Sequence, residues 1–377
     1  MKIHLLGDSL VQTRQPDHGK FYRGWGDMLS AFLSPCVEVV NPSFGGRSSR
    51  SFLNEGRFYD NGQFTTQIQP LGIGPSLDKI EKGDYVFIQF MCNDDDSGTV
   101  KYRPCKQVYL GDADKNGIFP TVVPHKDMLT DTKKWNDGSY EAALHNEGYS
   151  DAEIEKIVKE TDAIIALSGK TFYAYDTGAT YKGYLKFYID QIREKGANPI
   201  LIISGAKCVF TDGKIKPISV YYGGKNEYCD FTFVEAQKQL ANEMSVPAID
   251  LFETEKTIYE MIGEEKASLF HNISVSAGDV EKIDEISYDK DSAEDEEWIT
   301  EYERRLSEGN FLSVDRVHKN PFGAFYQAAL ITDALLKKGI LKDSLRREPI
   351  FLPQIPEPLK TEEIFSVFEF VNLFENA

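Results

Sequence analysis

Apolar positions along the chain fall into two periods. Five short continuous runs, at residues 3–6, 37–40, 85–90, 199–203 and 247–251, predict strands buried on both faces of a parallel sheet. Elsewhere the apolar positions recur every three to four residues. Tyr181, Tyr184, Leu185, Tyr188, Ile189 and Ile192 predict a helix over 177–195, stopped by Gly196. Shorter patterns predict helices over 26–32 and 233–244. A fourth, over 320–338, has Asn320 as its cap, Pro321 at its first position and Gly339 beyond its end. Strands alternating with helices imply an α/β domain with right-handed crossovers.

Two segments are too long for ordinary connections. They set insertions at about 97–175 and 254–313 within a single domain spanning 1–340. Part of the first is helical by pattern: Ser150 and Glu153 form a capping-box signature opening a helix that runs to Leu167. The remaining residues, 341–377, form a C-terminal extension. Pro349, Pro353, Pro356 and Pro358 keep its first part extended. Ile364, Phe365, Val367, Phe368, Phe370, Val371, Leu373 and Phe374 then make a helix that is apolar nearly all round and must be buried. It packs on its own domain or on a partner subunit of a homo-oligomer, and the pattern leaves both open.

Charge changes the picture of partners. The formal net charge is −18, which disfavours nucleic acid and anionic membrane surfaces. About half of it is local, since residues 275–310 hold 13 acidic side chains against 4 basic ones. The rest of the chain carries an unremarkable excess, so the charge does not exclude an acidic sugar. The five cysteines include no Cys-x-x-Cys pair, which excludes zinc ribbons and thioredoxin chemistry and favours reduced thiols. The first residues lack the features of a signal peptide, and no apolar run reaches the length of a membrane span. The expectation is a cytoplasmic protein.

Ligands of open parallel sheets sit beyond the carboxyl ends of the strands. The first predicted strand is followed by Gly7-Asp8-Ser9-Leu10, the second by Asn41 to Arg47 with Gly45-Gly46, and the third by Met91-Cys92-Asn93-Asp94. Asp315-Arg316-Val317-His318 precedes the last helix. A serine, a backbone-exposing glycine, an amide and an Asp–His pair thus share one edge, an inventory for acyl transfer. Ser9 needs a base to become a nucleophile. His318 can serve through Nε2 if Asp315 holds Nδ1–H. The Ser9 and Gly46 N–H groups and the Asn93 amide can supply an oxyanion hole. Each element alone is more often a turn, a cap or a surface pair, and the weight lies in their joint order.

These residues resemble the SGNH (GDSL-type) hydrolases, with Ser9, Gly46, Asn93 and His318 as the four namesake positions. The likeness is closest to the rhamnogalacturonan acetylesterase-like branch. Trp25-Gly26, Val39-Val40-Asn41, Gly46 to Phe52, Glu55-Gly56-Arg57-Phe58, Gly83 to Val86, and Asp315 and His318 with Gly323 carry it. It covers the first 95 residues well and 176–252 and 313–338 more loosely. The resemblance implies a flavodoxin-like three-layer sandwich with a five-stranded parallel sheet of order 2-1-3-4-5. It implies removal of O-acetyl groups from a carbohydrate, such as an oligosaccharide from pectin or another plant polysaccharide, through an acyl-serine intermediate and with no metal or cofactor. A lipase or thioesterase on the same scaffold, or a non-catalytic glycan-binding protein, are the alternatives. One departure stands out: the third block normally begins with glycine, and here Met91-Cys92 precedes Asn93. Met91 threatens to crowd the pocket, whereas Cys92 reads best as a small buried side chain.

Arg47, Arg50 and Arg57 form a local basic run. It reads either as a contact for a sugar carboxylate, with Arg47 in that role, or as packing and ion pairs within its own block. The first insertion leaves directly from the site edge and is expected to wall the pocket. Trp135, His125, Tyr102 and Tyr109 read either as its sugar contacts or as local core.

Overall fold

The computed structural model describes residues 1–13, 23–60, 75–94, 108, 110–122, 139–146, 148–168, 179–216, 232–274 and 313–346. The described strands are β1 (Lys2–Gly7), β2 (Glu38–Val40), β3 (Tyr85–Gln89), β4 (Asn198–Ile203), β5 (Phe210–Thr211), β6 (Lys214–Ile215), β7 (Ala248–Asp250), β8 (His271–Ser274) and β9 (Ser313–Lys319). Five of them form one sheet in the order β2-β1-β3-β4-β7, every neighbouring pair parallel. These are the five apolar runs, and β7 is the fifth of them, so the order is the expected one. Their runs are continuous because both faces are covered. Leu6, Val86, Ile88, Leu201 and Ile203 enter one core cluster, while Ile3, Leu5, Phe87, Ile200, Ile202 and Ile249 enter the other.

Helices supply the two covers. They are α1 (Trp25–Met28), α2 (Ser49–Asn54), α3 (Ser139–Asn146), α4 (Asp151–Ser168), α5 (Tyr181–Glu194), α6 (Thr232–Glu243), α7 (Leu251–Ile262), α8 (Glu264–Ser268) and α9 (Pro321–Lys337). On the first face α5 and α6 bury Tyr184, Leu185, Tyr188, Val234 and Leu240. On the second, Trp25 of α1 packs with Ala328, Ala329 and Ile331 of α9. The caps are those the sequence predicts for α9: Asn320 Oδ1 accepts from Gly323 N at 2.8 Å, and Pro321 opens the helix. α5 starts later than its pattern, because Thr180 takes the cap and accepts from Gly183 N at 3.2 Å.

The segment expected as the second insertion opens on regular structure. Residues 254–274 hold most of α7, then α8 and β8, and they bury Tyr259, Ala267, Leu269 and Phe270 in the first core. The apolar stripe of α7 is broken by Glu255, which is buried beside Leu251, Phe252 and Tyr259. A carboxylate on a buried face hides a helix from an apolar count.

Described residues between 97 and 175 are hydrogen-bonded to the elements on either side. Val108 N donates to Asp94 O at 2.8 Å, Thr180 N donates to Thr121 O at 3.2 Å, and Lys182 Nζ donates to Phe119 O at 2.8 Å. Helices α3 and α4 pack on each other through Leu144, Ile154 and Ile157. Tyr102, Tyr109, His125 and Trp135 lie outside the described residues, as do the acidic residues 275–310 and the C-terminal 347–377. Among the described residues no helix is long and apolar enough to cross a membrane.

Candidate active site

The nucleophile turn is built by Asp8. Its backbone oxygen accepts from Val11 N at 3.1 Å and Gln12 N at 3.0 Å, and its side chain accepts from Leu10 N at 2.9 Å. Both sets of bonds fold the chain back directly after β1 and leave Ser9 at the strand's carboxyl end. Gly7 is required there, since a Cβ would lie 2.8 Å from Gln89 O and 2.5 Å from Val11 Cγ2.

The second loop is tied to the first by its own polar groups. Asn41 Nδ2 donates to Val11 O at 2.8 Å, Ser43 Oγ donates to Leu5 O at 3.0 Å, and Phe44 N donates to Gly7 O at 3.1 Å. Gly46 follows with φ of +75°, in the left-handed region that favours glycine. Asn93 completes the ring of loops. Its Nδ2 donates to Asp8 Oδ2 and to Arg47 O, each at 3.3 Å. Both bonds are long, and they aim the amide between the Ser9 turn and the Gly46 loop.

His318 arrives from the far end of the chain on β9. Its Nε2 lies 2.8 Å from Ser9 Oγ, the distance of a serine hydroxyl donating to a neutral imidazole. The backbone of Asp315 lies on the same strand, and its side chain lies outside what is described. Leu10, Cys92 and Val317 form a small separate apolar cluster. Each is the chain neighbour of a site residue (Ser9, Asn93 and His318), so the cluster clasps the three loops beneath their chemistry. Cys92 is thus a buried packing side chain, 8% exposed. Met91 points away into the first core, so its bulk is absorbed there rather than in the pocket.

Asp8 is the site residue that sequence reasoning passed over. It is 1% exposed. Burial raises its pKa to about 6, against the opposing pull of Leu10 N–H, His318, Asn93 and Lys207. Its signal was the Gly-Asp-Ser turn itself, where a carboxylate is read as a turn former and not as a titrating group.

The arginines form a brace. Arg47 Nε donates to Glu55 Oε2 at 3.0 Å and Arg57 Nε to the same oxygen at 2.6 Å. Both guanidiniums lie over the Phe44 ring, at 4.5 and 4.1 Å from its centroid. Arg47 Nη1 also donates to Gly45 O at 2.9 Å. The brace therefore holds the Gly45-Gly46 turn. Among the described residues no cluster of His, Cys, Asp and Glu is arranged to hold a metal ion.

Ser9, His318, Asn93 and the Gly46 loop thus stand together at the carboxyl edge of the sheet. No family profile matches the chain. The Bacillus subtilis (strain 168) protein named "Probable rhamnogalacturonan acetylesterase YesY" is 27% identical over 277 residues, covering 74% of this chain and 82% of that one. The rhamnogalacturonan acetylesterase RhgT of the same organism is 24% identical over 268 residues, 71% of this chain and 72% of its own. Among solved structures, Bacillus subtilis protein YXIM aligns with a TM-score of 0.43 at 18% identity, over 90% of this chain, which spans 57% of that one.

Proposed function

Starting from the chain's place among the SGNH hydrolases, in the branch of the rhamnogalacturonan acetylesterases, we propose that it removes O-acetyl groups from a carbohydrate, an oligosaccharide derived from pectin or another plant polysaccharide. The observation that carries the reading is the 2.8 Å contact between Ser9 Oγ and His318 Nε2 at the carboxyl edge of the sheet. His318 takes the Ser9 proton as Oγ bonds to the acetyl carbon, and the carbonyl electron pair moves onto oxygen. Ser9 N–H, Gly46 N–H and the Asn93 amide receive that oxyanion. Collapse breaks the bond to the sugar oxygen, which takes the proton from His318. Water then repeats the cycle on the acyl-serine, losing its proton to His318, and acetate leaves with Ser9 restored. Asp315 is assigned to His318 Nδ1.

The test is acetate release from acetylated pectic, xylan and mannan oligosaccharides, with Ser9→Ala as control. Release from at least one, abolished in Ser9→Ala, is expected. A preference for p-nitrophenyl octanoate over the acetate would sink the acetylesterase reading in favour of a lipase or thioesterase. We also propose that the enzyme works in the cytoplasm, which fits the free thiol of the exposed Cys36. Fractionation of the cells that make it tests this, and recovery outside the cytoplasm overturns it.

A further inference from the structure

The residue after His318 is a lysine with almost no contact with water. Lys319 is 2% exposed, and so is the carboxylate beside it, Glu255, with Nζ to Oε1 at 3.4 Å. Lysine is almost never buried this way unless it is paired. Here the pairing is extensive. Lys319 Nζ donates to Tyr259 OH, to His271 Nε2 at 2.9 Å and to Ala206 O at 3.4 Å. His271 accepts at Nε2, so its proton sits on Nδ1. Tyr259 OH lies 3.3 Å from Glu255 Oε1 and donates to it, and Gln327 Nε2 donates to the same oxygen at 2.9 Å. The cluster therefore joins α7, β8, β9, α9 and the turn after β4. None of its members takes part in the acyl transfer proposed above.

Its place in the strand gives it a task. β8 and β9 are antiparallel, with His271 opposite Lys319 and Ile273 opposite Val314. Two steps along β8 thus match five along β9, and the stretch from Asp315 to His318 bulges from the ladder. Bulges of this kind re-aim side chains next to active sites. The C-terminal end is fixed twice. Lys319 O accepts from Arg23 N at 2.9 Å, and the Lys319 side chain is anchored in the buried cluster. A buried ion pair adds little stability over an apolar replacement, but it can specify one arrangement.

We propose that Lys319 is a positioning residue for His318, its ammonium held by His271, Tyr259 and Glu255 so that the bulged strand presents the imidazole to Ser9. The inference rests on the Ser9–His318 esterase reading. Misplacing a reacting group by about 1 Å costs on the order of 100-fold in rate.

The experiment compares wild type with Lys319→Met and Tyr259→Phe. A fluorophosphonate titration of Ser9 counts competent sites, and kcat and KM for p-nitrophenyl acetate are then expressed per site across pH. Lys319→Met is expected to lose about 100-fold in kcat per site with KM within about twofold. The pH midpoint of its turnover moves as well. Tyr259→Phe, which keeps the ring and removes one partner of the ammonium, is expected to lose about 10-fold. A merely structural role would lower the number of competent sites and leave the per-site rate and pH midpoint unchanged, which overturns the inference. Should Lys319→Met fail to fold, Tyr259→Phe decides by the same two readouts. Wild-type protein without Ser9-dependent turnover or labelling would bring down the esterase reading and this inference with it.

Discussion

Ser9 Oγ and His318 Nε2 stand 2.8 Å apart although 309 positions separate them in the chain. Residues that act as one unit do not contribute additively. Ser9→Ala and His318→Ala are each expected to lose on the order of 10⁴- to 10⁶-fold in kcat on an acetyl ester, and the double variant no more than the worse of the two. Steady-state kinetics on p-nitrophenyl acetate settles it. Losses that multiply would mean that the two side chains work separately.

Asn93 offers a test of the oxyanion assignment. Its amide is aimed by two long bonds, to Asp8 and to Arg47 O. A donor that strengthens only as charge develops contributes to the transition state and little to the bound ester. Asn93→Ala should therefore lower kcat on the order of 10²- to 10³-fold with KM within about twofold. A variant that raised KM and kept kcat would place Asn93 in substrate binding instead.

Asp8 predicts a pH-dependent stability with an unusual sign. Burial raises its folded pKa from 3.8 to about 6. The folded state then holds the proton more tightly than the unfolded chain. The corresponding stability is full below the unfolded pKa and is lost as pH rises through about 6. Asp8→Asn lacks this loss. Its stability relative to wild type should improve by about 2 kcal/mol between pH 4 and pH 7. Urea unfolding at both values measures it, and a difference independent of pH would refute the assignment. Activity should fall, because an amide cannot accept from both Leu10 N and Asn93 Nδ2.

Much of this architecture is legible in the sequence because each part carries its own local signal. β3 and β4 are buried on both faces, so their runs need no partner to be recognised. Ser9, Gly46, Asn93 and His318 stand at strand ends or before a capped helix, and their joint order is what makes them candidates. α7 is hidden in the apolar pattern because Glu255 sits where an apolar residue belongs, and its compensation by Lys319 comes from another element. The brace around Phe44 was ambiguous for a similar reason. Three arginines in a short block read either as a ligand site or as internal ion pairs, and the spacing does not show that Glu55 accepts from two of them. Pairing across space leaves no period in the chain.

That brace yields a prediction of the opposite sign to Asp8. Burial pushes the Glu55 pKa up, but the charges and hydrogen bonds of Arg47 and Arg57 outweigh it and hold the carboxyl below its usual range. Stability from the ionised carboxylate is therefore present above the unfolded pKa and lost as pH falls through the lower folded one. Glu55→Gln removes the charge between two guanidiniums, one of them, Arg57, fully buried. A broken buried pair costs about 3–5 kcal/mol, and the 28% exposure of the Glu55 side chain reduces this to about 2 kcal/mol at pH 7. The difference from wild type should shrink as pH falls below 4.5, the ordinary glutamate value. Because Arg47 also holds Gly45 O, the loosened brace should lower kcat on the smallest acetyl ester as well as on oligosaccharides. Thermal unfolding across pH and p-nitrophenyl acetate turnover measure the two effects. A variant that lost turnover only on acidic oligosaccharides would show instead that the arginines contact substrate.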